Sequence, residues 1–227
     1  STLNNTSKKI SELGDKAKVV GSAVGKLGKG LAIAGTAAAT AVGTMVAKSV
    51  SSFADYEQLT GGVDTLFKDS SAAVQKYAND AYKTAGLSAN SYMETVTNFS
   101  ASLISSLKGD TAKAADYANS ALVDMADNAN KMGTNMTDIQ NAYQGFAKQN
   151  YTMLDNLKLG YGGTQAEMKR LLSDAQKLTG QKYDISSFAD ITQAIHAIQT
   201  QMDITGTTAK EASTTISGSW GSLKAAF

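Results

Sequence analysis

Apolar residues recur at helical spacing along nearly the whole chain. In the first fifty residues they step by three and four, as the a and d positions of helices packed along a seam do. This seam comprises Ile10, Leu13, Ala17, Val20, Val24, Leu27, Leu31, Ala34, Ala38, Ala41 and Met45. The strict spacing predicts a long helix, or a pair of helices, over residues 1–51.

Glycine stands beside this seam once per heptad, at Gly14, Gly21, Gly28 and Gly35. Taken singly, each glycine only weakens a helix, by about 1 kcal/mol relative to alanine. Because all four fall on one edge, they leave that edge without side chains, and another backbone can approach it closely. The pattern therefore favours a close-packed helix pair or an oligomer seam over scattered weak points.

Within this region, residues 30–47 carry no charge. As a helix they would extend about 27 Å at 1.5 Å per residue, slightly less than the roughly 30 Å hydrocarbon core of a membrane. Alanine, glycine and threonine dominate the stretch, so membrane insertion would be weakly driven. A buried helix is the favoured interpretation, and a membrane-contacting one is the alternative. Its candidate membrane-contacting residues are Leu31, Ile33, Val42, Met45 and Val46.

Residues 52–227 show shorter amphipathic patterns separated by glycine. Gly61 and Gly62 are predicted to break the first helix. The next is expected over about 71–85, ending before Gly86. Its apolar side is predicted to carry Val74, Tyr77, Ala78, Ala81 and Tyr82. Helices over about 91–107 and from Asp110 to about 131 follow, the second closed by Gly133.

Capping signals and apolar stripes place the remaining helices. Capping boxes are predicted for three pairs, with a weaker version at a fourth: Thr137 with Gln140, Thr164 with Glu167, Thr208 with Glu211, and Ser187 with Asp190. The last stripes are Phe188, Ile191, Ile195, Ile198 and Met202, then Ile216, Trp220, Leu223 and Phe227. No segment alternates with period two, so no sheet is expected. The predicted fold is all-α: the glycine- and alanine-rich segment, then a bundle of about seven short helices over 52–227.

Composition agrees with that fold and excludes several functions. The chain has no proline, the residue that most strongly interrupts helices. It has no cysteine, so disulfides, thiolate metal sites and thiol nucleophiles are excluded. A net charge of +1, without an arginine-rich run, argues against specific nucleic-acid binding.

Candidate chemistry is sparse. His196, the sole histidine, is expected to be a boundary residue bonded to a neighbour or to water, because it lacks the partners of a zinc site. Asp184 and Asp190 are close in sequence, but Asp190 already has a capping role. The glycines at 160, 162 and 163 match no phosphate-binding fingerprint, and a tight turn explains them better than an anion cradle. No catalytic, cofactor or metal site is predicted.

Several stretches carry long, distinctive motifs. They are IQNAYQGFAKQNYTMLDNLKLGYGGT at 139–164, AEMKRLLSDAQKLTG at 166–180, SASLISSLKGDTAKAADYANSALVDMADNANKMGT at 100–134 and GTTAKEASTTISGSWGSLKAAF at 206–227. An apolar small-residue segment and SFADYEQ at 52–58 precede them. In motif and in order, about three quarters of the chain resembles tail tape-measure proteins of siphophages and of prophages from Gram-positive bacteria.

The resemblance implies a non-enzymatic structural role. Such proteins occupy the tail lumen, template the length of the tail tube and leave the particle at infection, when they can form a conduit at the host membrane. The implied partners are the tail-tube and tail-tip proteins, tail assembly chaperones, the host membrane, and further copies of the chain, for example as a trimer. The implied locations are the virion, the host cytoplasm during assembly and the host envelope on ejection.

Two further expectations complete this interpretation. The start at Ser1 without methionine, and the apolar stripe that reaches Phe227, predict a piece of a longer polypeptide, of the N-terminal type. The alternative function is a secreted or injected helical pore-forming protein, which would use the same glycine-rich helix. A cell-wall hydrolase embedded in a tail protein is a third possibility, and no spacing of carboxylates supports it.

Overall fold

Helices joined by short turns make up most of the part of the chain that the computed structural model describes, residues 54–215. The helices are α1 over 54–67, α2 Ser71–Thr84, α3 Ala89–Ser106, α4 Thr111–Met132, α5 Met136–Ala147, α6 Gln165–Thr179, α7 Phe188–Gln201 and α8 over 207–215. Short 3-10 turns occupy Lys68–Ser70 and Leu154–Leu157. No strand occurs between residues 54 and 215, so the all-α prediction is confirmed for that range. The predicted N-terminal helix and the boundary near residue 51 lie outside it.

Side-chain caps define where several helices begin. Asp110, Thr164 and Ser187 each accept a hydrogen bond from the backbone N–H three residues later, at 3.0–3.2 Å. These caps satisfy amide groups that have no partner inside the helix. Gly133 ends α4 in the left-handed conformation, with φ 61°. All four of these predicted helix ends are confirmed. The reciprocal bonds of the two predicted capping boxes are not formed, because Glu167 accepts the N–H of Gly162 and Asp190 accepts that of Asp184.

Other predicted boundaries are wrong. The first helix continues through Gly61 and Gly62, because Val63 and Phe67 are fully buried and their packing outweighs the weak helix propensity of glycine. The predicted capping box of Thr137 and Gln140 is also wrong. Asn135 caps α5, and its side chain accepts the N–H of Thr137 at 2.8 Å, while the Gln140 amide donates to the hydroxyl of Thr95.

Around α4, the helices pack into one core. α4 contacts α2, α3, α5 and α7, and α6 packs along α7. Alanines line the first half of α4 and let the neighbouring helices approach closely: Ala114, Ala115, Ala118 and Ala121 are buried. Larger side chains fill the core elsewhere, as where the rings of Phe99 and Phe188 meet edge to face with centroids 6.0 Å apart.

Two predicted stripes hold with one exception each. On α2, Val74, Ala78 and Ala81 are buried, but Tyr82 is 53% exposed. On α7 the first four residues of the stripe are buried: Phe188, Ile191, Ile195 and Ile198. Met202 lies just beyond the helix and is 40% exposed. Helical spacing assigns a face, and it cannot show where the neighbouring helix ends.

Candidate functional site

The site residues predicted from sequence lie outside the described range. They are the seam residues Ile10, Leu13, Gly14, Val20, Gly21, Val24, Leu27, Gly28, Leu31 and Gly35, and the membrane candidates Leu31, Ile33, Val42, Met45 and Val46. These assignments stay predictions. Among the helices of residues 54–215, none is both long and apolar enough to span a bilayer.

Within the described range, the densest buried polar group lies on α4. Asp124, Asp127 and Asn128 are at most 1% exposed, and they form what we call the α4 polar cluster. Their spacing places them within about one turn of the helix. Buried carboxylates and amides are costly unless they are hydrogen-bonded, so each of the three requires a partner from elsewhere in the chain.

Asp124 is paired with the only histidine of the chain. Nδ1 of His196, on α7, lies 2.9 and 3.0 Å from the two carboxylate oxygens. The side chain of His196 is 38% exposed, whereas that of Asp124 is 1% exposed. This confirms the prediction of a boundary histidine bonded to a neighbour, and it identifies that neighbour as a buried carboxylate.

Both members of this pair hold protons more tightly than usual. Burial raises the pKa of the Asp124 carboxyl from 3.8 to about 6, although the hydrogen bond and charge of His196 act in the opposite direction. The hydrogen bond from Asp124 raises the pKa of His196 above 6.5, against the effect of partial burial. The negative charge of Asp127 shifts both groups in the same direction.

Asp127 holds the beginning of α8. Its carboxylate accepts the backbone N–H of Gly206 at 2.6 Å and that of Thr208 at 2.8 Å. A negative charge at a helix N-terminus is favourable because the free N–H groups and the helix dipole are positive there. The predicted capping box of Thr208 and Glu211 is wrong, since the Thr208 hydroxyl is buried without a hydrogen-bond partner. A residue about eighty positions earlier performs that role instead.

Asn128 ties the long connection between α5 and α6 to the same cluster. Its side-chain amide donates to the carbonyl oxygen of Leu157 at 2.9 Å, and its oxygen accepts from Thr134 at 2.8 Å. The α4 polar cluster therefore joins α4 to α7, to α8 and to the connection before α6.

The chemistry of this arrangement is limited by what surrounds it. A buried carboxylate that holds Nδ1 of a histidine also occurs in catalytic triads, where it fixes the tautomer of the base. A triad also needs a nucleophile that hydrogen-bonds to the histidine, and among the described residues the hydrogen-bond partner of His196 is Asp124. The hydroxyls of Thr134 and Thr207 contact Asn128 and Asp127 instead. Among the described residues, no three histidine or acidic side chains are arranged to hold a metal ion. The observed contacts of the cluster connect helices.

A second polar arrangement, on the surface, encloses the glycine-rich loop before α6. The Glu167 carboxylate accepts the N–H of Gly162 at 3.0 Å, and Arg170 donates to the carbonyl of Gly160 at 2.7 Å. The guanidinium of Arg170 also lies 4.3 Å from the centroid of the Tyr161 ring. We call this arrangement the α6 clasp. The loop amide that could face an external anion binds the protein's own carboxylate, which agrees with the predicted turn.

The loop can lie this close only because it contains glycine. A Cβ atom at Gly163 would stand 2.2 Å from the carbonyl oxygen of Thr152. One at Gly145, on α5, would stand 3.0 Å from the carbonyl oxygen of Asn150. Both are backbone atoms, which cannot move aside cheaply. Packing thus requires glycine at position 163, whereas a Cβ at position 145 would need its neighbour to move by a few tenths of an ångström.

The acidic members of the α4 polar cluster, Asp124 and Asp127, are not among the residues predicted from the sequence. Asp124 and Asp127 are flanked by Leu122, Met125 and Ala126, all buried. Acidic and apolar residues mixed within one helix turn indicate that this turn is buried on all of its faces, the acidic one included. The partners could not have been found in the same way, since they lie 72 and about 80 residues away.

Comparisons with known protein families, with curated proteins and with solved structures return no match for this chain.

Proposed function

We propose that this chain is a structural protein of the phage tail lumen, of the tape-measure type. In this proposal it packs inside the tail tube, contacts the tube and tip proteins and further copies of itself, and is delivered by tail assembly chaperones. It leaves the particle at infection, when its N-terminal apolar segment contacts the host membrane. It performs no reaction and binds no specific nucleic acid.

The proposal rests on where the residues of the tape-measure-like motifs lie in the fold and what they contact. Residues 100–134 supply the end of α3 and the whole of α4, including the α4 polar cluster. Residues 139–164 supply most of α5 and the loop enclosed by the α6 clasp, with both close-approach glycines. The residues that carry the resemblance serve helix-to-helix attachment, as expected of a protein whose role is structural.

A second observation supports the requirement that the chain pass through a narrow tube. No disulfide can form, because cysteine is absent. The polar contacts that attach α7, α8 and the α5–α6 connection to α4, like the core packing beside them, are noncovalent. Such contacts separate reversibly when the chain is extended, since water can replace each partner.

The proposal is tested on particles released by the cells that carry the gene. Peptides from residues 54–215 should be found by mass spectrometry in purified tails, at a few copies relative to the tube protein. After triggered DNA release the same peptides should leave the particle, while the tube protein, as the internal control, stays. Tails that lack these peptides before release would contradict the proposal. Clearing of cell-wall material by the purified chain, lost on changing one carboxylate, would favour a hydrolase.

A further inference from the structure

Several buried polar groups near the α4 polar cluster have no hydrogen-bond partner among the residues that the structure describes. They are the hydroxyl of Tyr143 on α5, both polar atoms of the Gln199 amide on α7, and the hydroxyl of Thr208 on α8. Tyr143 and Gln199 are 0% exposed. In folded proteins, buried polar groups of this kind are nearly always satisfied by another protein group or by ordered water.

The two hydroxyls lie close to the acidic members of the cluster. The backbone N–H of Thr208 donates to the Asp127 carboxylate at 2.8 Å, so the hydroxyl of the same residue stands beside that carboxylate. Tyr143 lies within the electrostatic reach of Asp124: burial raises the pKa of the tyrosine hydroxyl, and the negative charge of Asp124 raises it further. The helix that carries Tyr143, α5, packs against both α4 and α7. The two hydroxyls therefore approach the cluster from two different helices.

The amide of Gln199 lies level with the same cluster. Contacts between α7 and α4 advance in the same direction along both segments: His196 meets Asp124, and further along the chain Gly206 meets Asp127. Gln199 follows His196 by about one helical turn, as Asp127 follows Asp124. Residues three apart share a helix face, so the buried amide is on the face of α7 that carries His196 toward α4.

The chemistry of these groups decides which ligand suits them. The Gln199 nitrogen only donates, its oxygen only accepts, and each hydroxyl can do both. A metal cation would satisfy the oxygens but not the nitrogen, and His196 would oppose it, because the hydrogen bond from Asp124 raises the pKa of that imidazole and favours its charged form. An anion would be repelled by Asp124 and Asp127. Water both donates and accepts, so it matches the mixed set.

We propose that the α4 polar cluster extends into an internal water site, where bound water links the Gln199 amide and the hydroxyls of Tyr143 and Thr208 to the carboxylates of Asp124 and Asp127. A buried water typically makes about three hydrogen bonds to groups that are otherwise unsatisfied. It exchanges slowly, because the helices around it must open first. The site adds water-mediated attachments of α5, α7 and α8 to the direct ones. This inference concerns the folded chain, and it holds or fails independently of the tail function.

Magnetic relaxation dispersion of the water signal tests the proposal on the full chain, because only water that stays bound for longer than the protein tumbles contributes to it. The unaltered chain should show long-lived internal water. Gln199→Leu replaces the amide with an apolar side chain of similar length and should reduce the dispersion amplitude by about one water molecule. Gln201→Leu is the matched control, since Gln201 is on the same helix and exposed. That variant should leave the amplitude unchanged.

Tyr143→Phe provides a second test that does not depend on the folding of Gln199→Leu, since it removes a single hydroxyl. A hydroxyl that bonds to internal water leaves that water short of a partner when it is removed, so the urea midpoint should fall. A hydroxyl without any partner would leave the midpoint unchanged or raise it, because the buried polar group itself is costly.

Four results would overturn the proposal. The first is a dispersion that reveals no long-lived water. The second is an amplitude that Gln199→Leu leaves unchanged while circular dichroism shows the fold intact. The third is a urea midpoint of Tyr143→Phe equal to or above that of the unaltered chain. The fourth is a midpoint that differs between sodium, potassium and choline chloride at equal ionic strength, which would assign the site to a metal cation.

Discussion

The α4 polar cluster and the α6 clasp use similar groups in opposite environments. In the cluster, burial raises the pKa of Asp124 to about 6. In the clasp, the Arg170 guanidinium and the Gly162 N–H lower the pKa of Glu167 to about 2. The Glu167 side chain is 31% exposed and its ion pair is shared with water, so salt and solvent screen it. A strong pKa shift therefore does not by itself identify the carboxylate on which the fold depends.

The comparison also separates two ways of holding a segment. The cluster holds α8 and α7 through two carboxylates that are buried. The clasp surrounds its loop with charges, but what lets the loop lie there is the missing side chain at Gly163. We therefore expect the cluster to be sensitive to changes of charge and the clasp to be sensitive to changes of volume.

The largest effect is expected for Gly163→Ala. Its Cβ would meet the backbone oxygen of Thr152 at 2.2 Å, so the loop must shift, at a cost of about 3 kcal/mol in the free energy of unfolding. Gly162→Ala is the control, since its Cβ would make an ordinary contact with Glu167 at 3.5 Å. Urea unfolding followed by circular dichroism measures both variants. Equal stability of the two would contradict the close-packed loop.

The next effect is expected for Asp127→Ala. Removing the carboxylate leaves the N–H groups of Gly206 and Thr208 without their acceptor, which should destabilise the protein by about 2 kcal/mol. Hydrogen exchange should speed up most in α8, because this carboxylate holds its beginning. Asp110→Ala, which removes an exposed local cap, is the control and should leave exchange in α8 unchanged. Retained protection of α8 in Asp127→Ala would show that other contacts hold the helix.

The third effect concerns pH. Asp124 and His196 both have a raised pKa in the folded protein, so the folded state binds more protons than the unfolded state, and stability falls as pH rises. From pH 5 to pH 8 the contribution of Asp124 alone amounts to about 1 kcal/mol. The surface carboxylates with lowered pKa, Glu167 among them, act in the opposite direction only below about pH 4.5.

Urea midpoints measured from pH 5 to pH 8 test this prediction. They should fall with rising pH in the unaltered chain and change less in Asp124→Asn, which cannot titrate. A midpoint that rises over this range would mean that the pair does not control the pH dependence.

The smallest effect is expected for Glu167→Gln. The glutamine oxygen can still accept the N–H of Gly162, and the lost ion pair with Arg170 is exposed to water. The urea midpoint should stay close to that of the unaltered chain, and 0.5 M salt should remove what difference remains. A loss as large as that of Asp127→Ala would remove the distinction between the two regions.

Several helix ends could be predicted from the sequence because they depend on local chemistry. Asp110, Thr164 and Ser187 cap helices because a cap involves residues only three apart, and Gly133 ends α4 because glycine adopts the left-handed conformation freely. The helix break predicted at Gly61 and Gly62 was wrong although it, too, followed from local preference. Their local preference was real, but burial of Val63 and Phe67 outweighed it.

The sequence by itself determined the class of structure: helices, their approximate ends and the faces they bury, since each depends on spacing within a few residues. Only the tertiary structure decided that Asp127 caps α8, that Asp124 holds His196, and that Gly163 lies against the carbonyl of Thr152. Those pairings depend on which helices become neighbours. That choice is made by packing of the whole core, and no short stretch of the chain contains it.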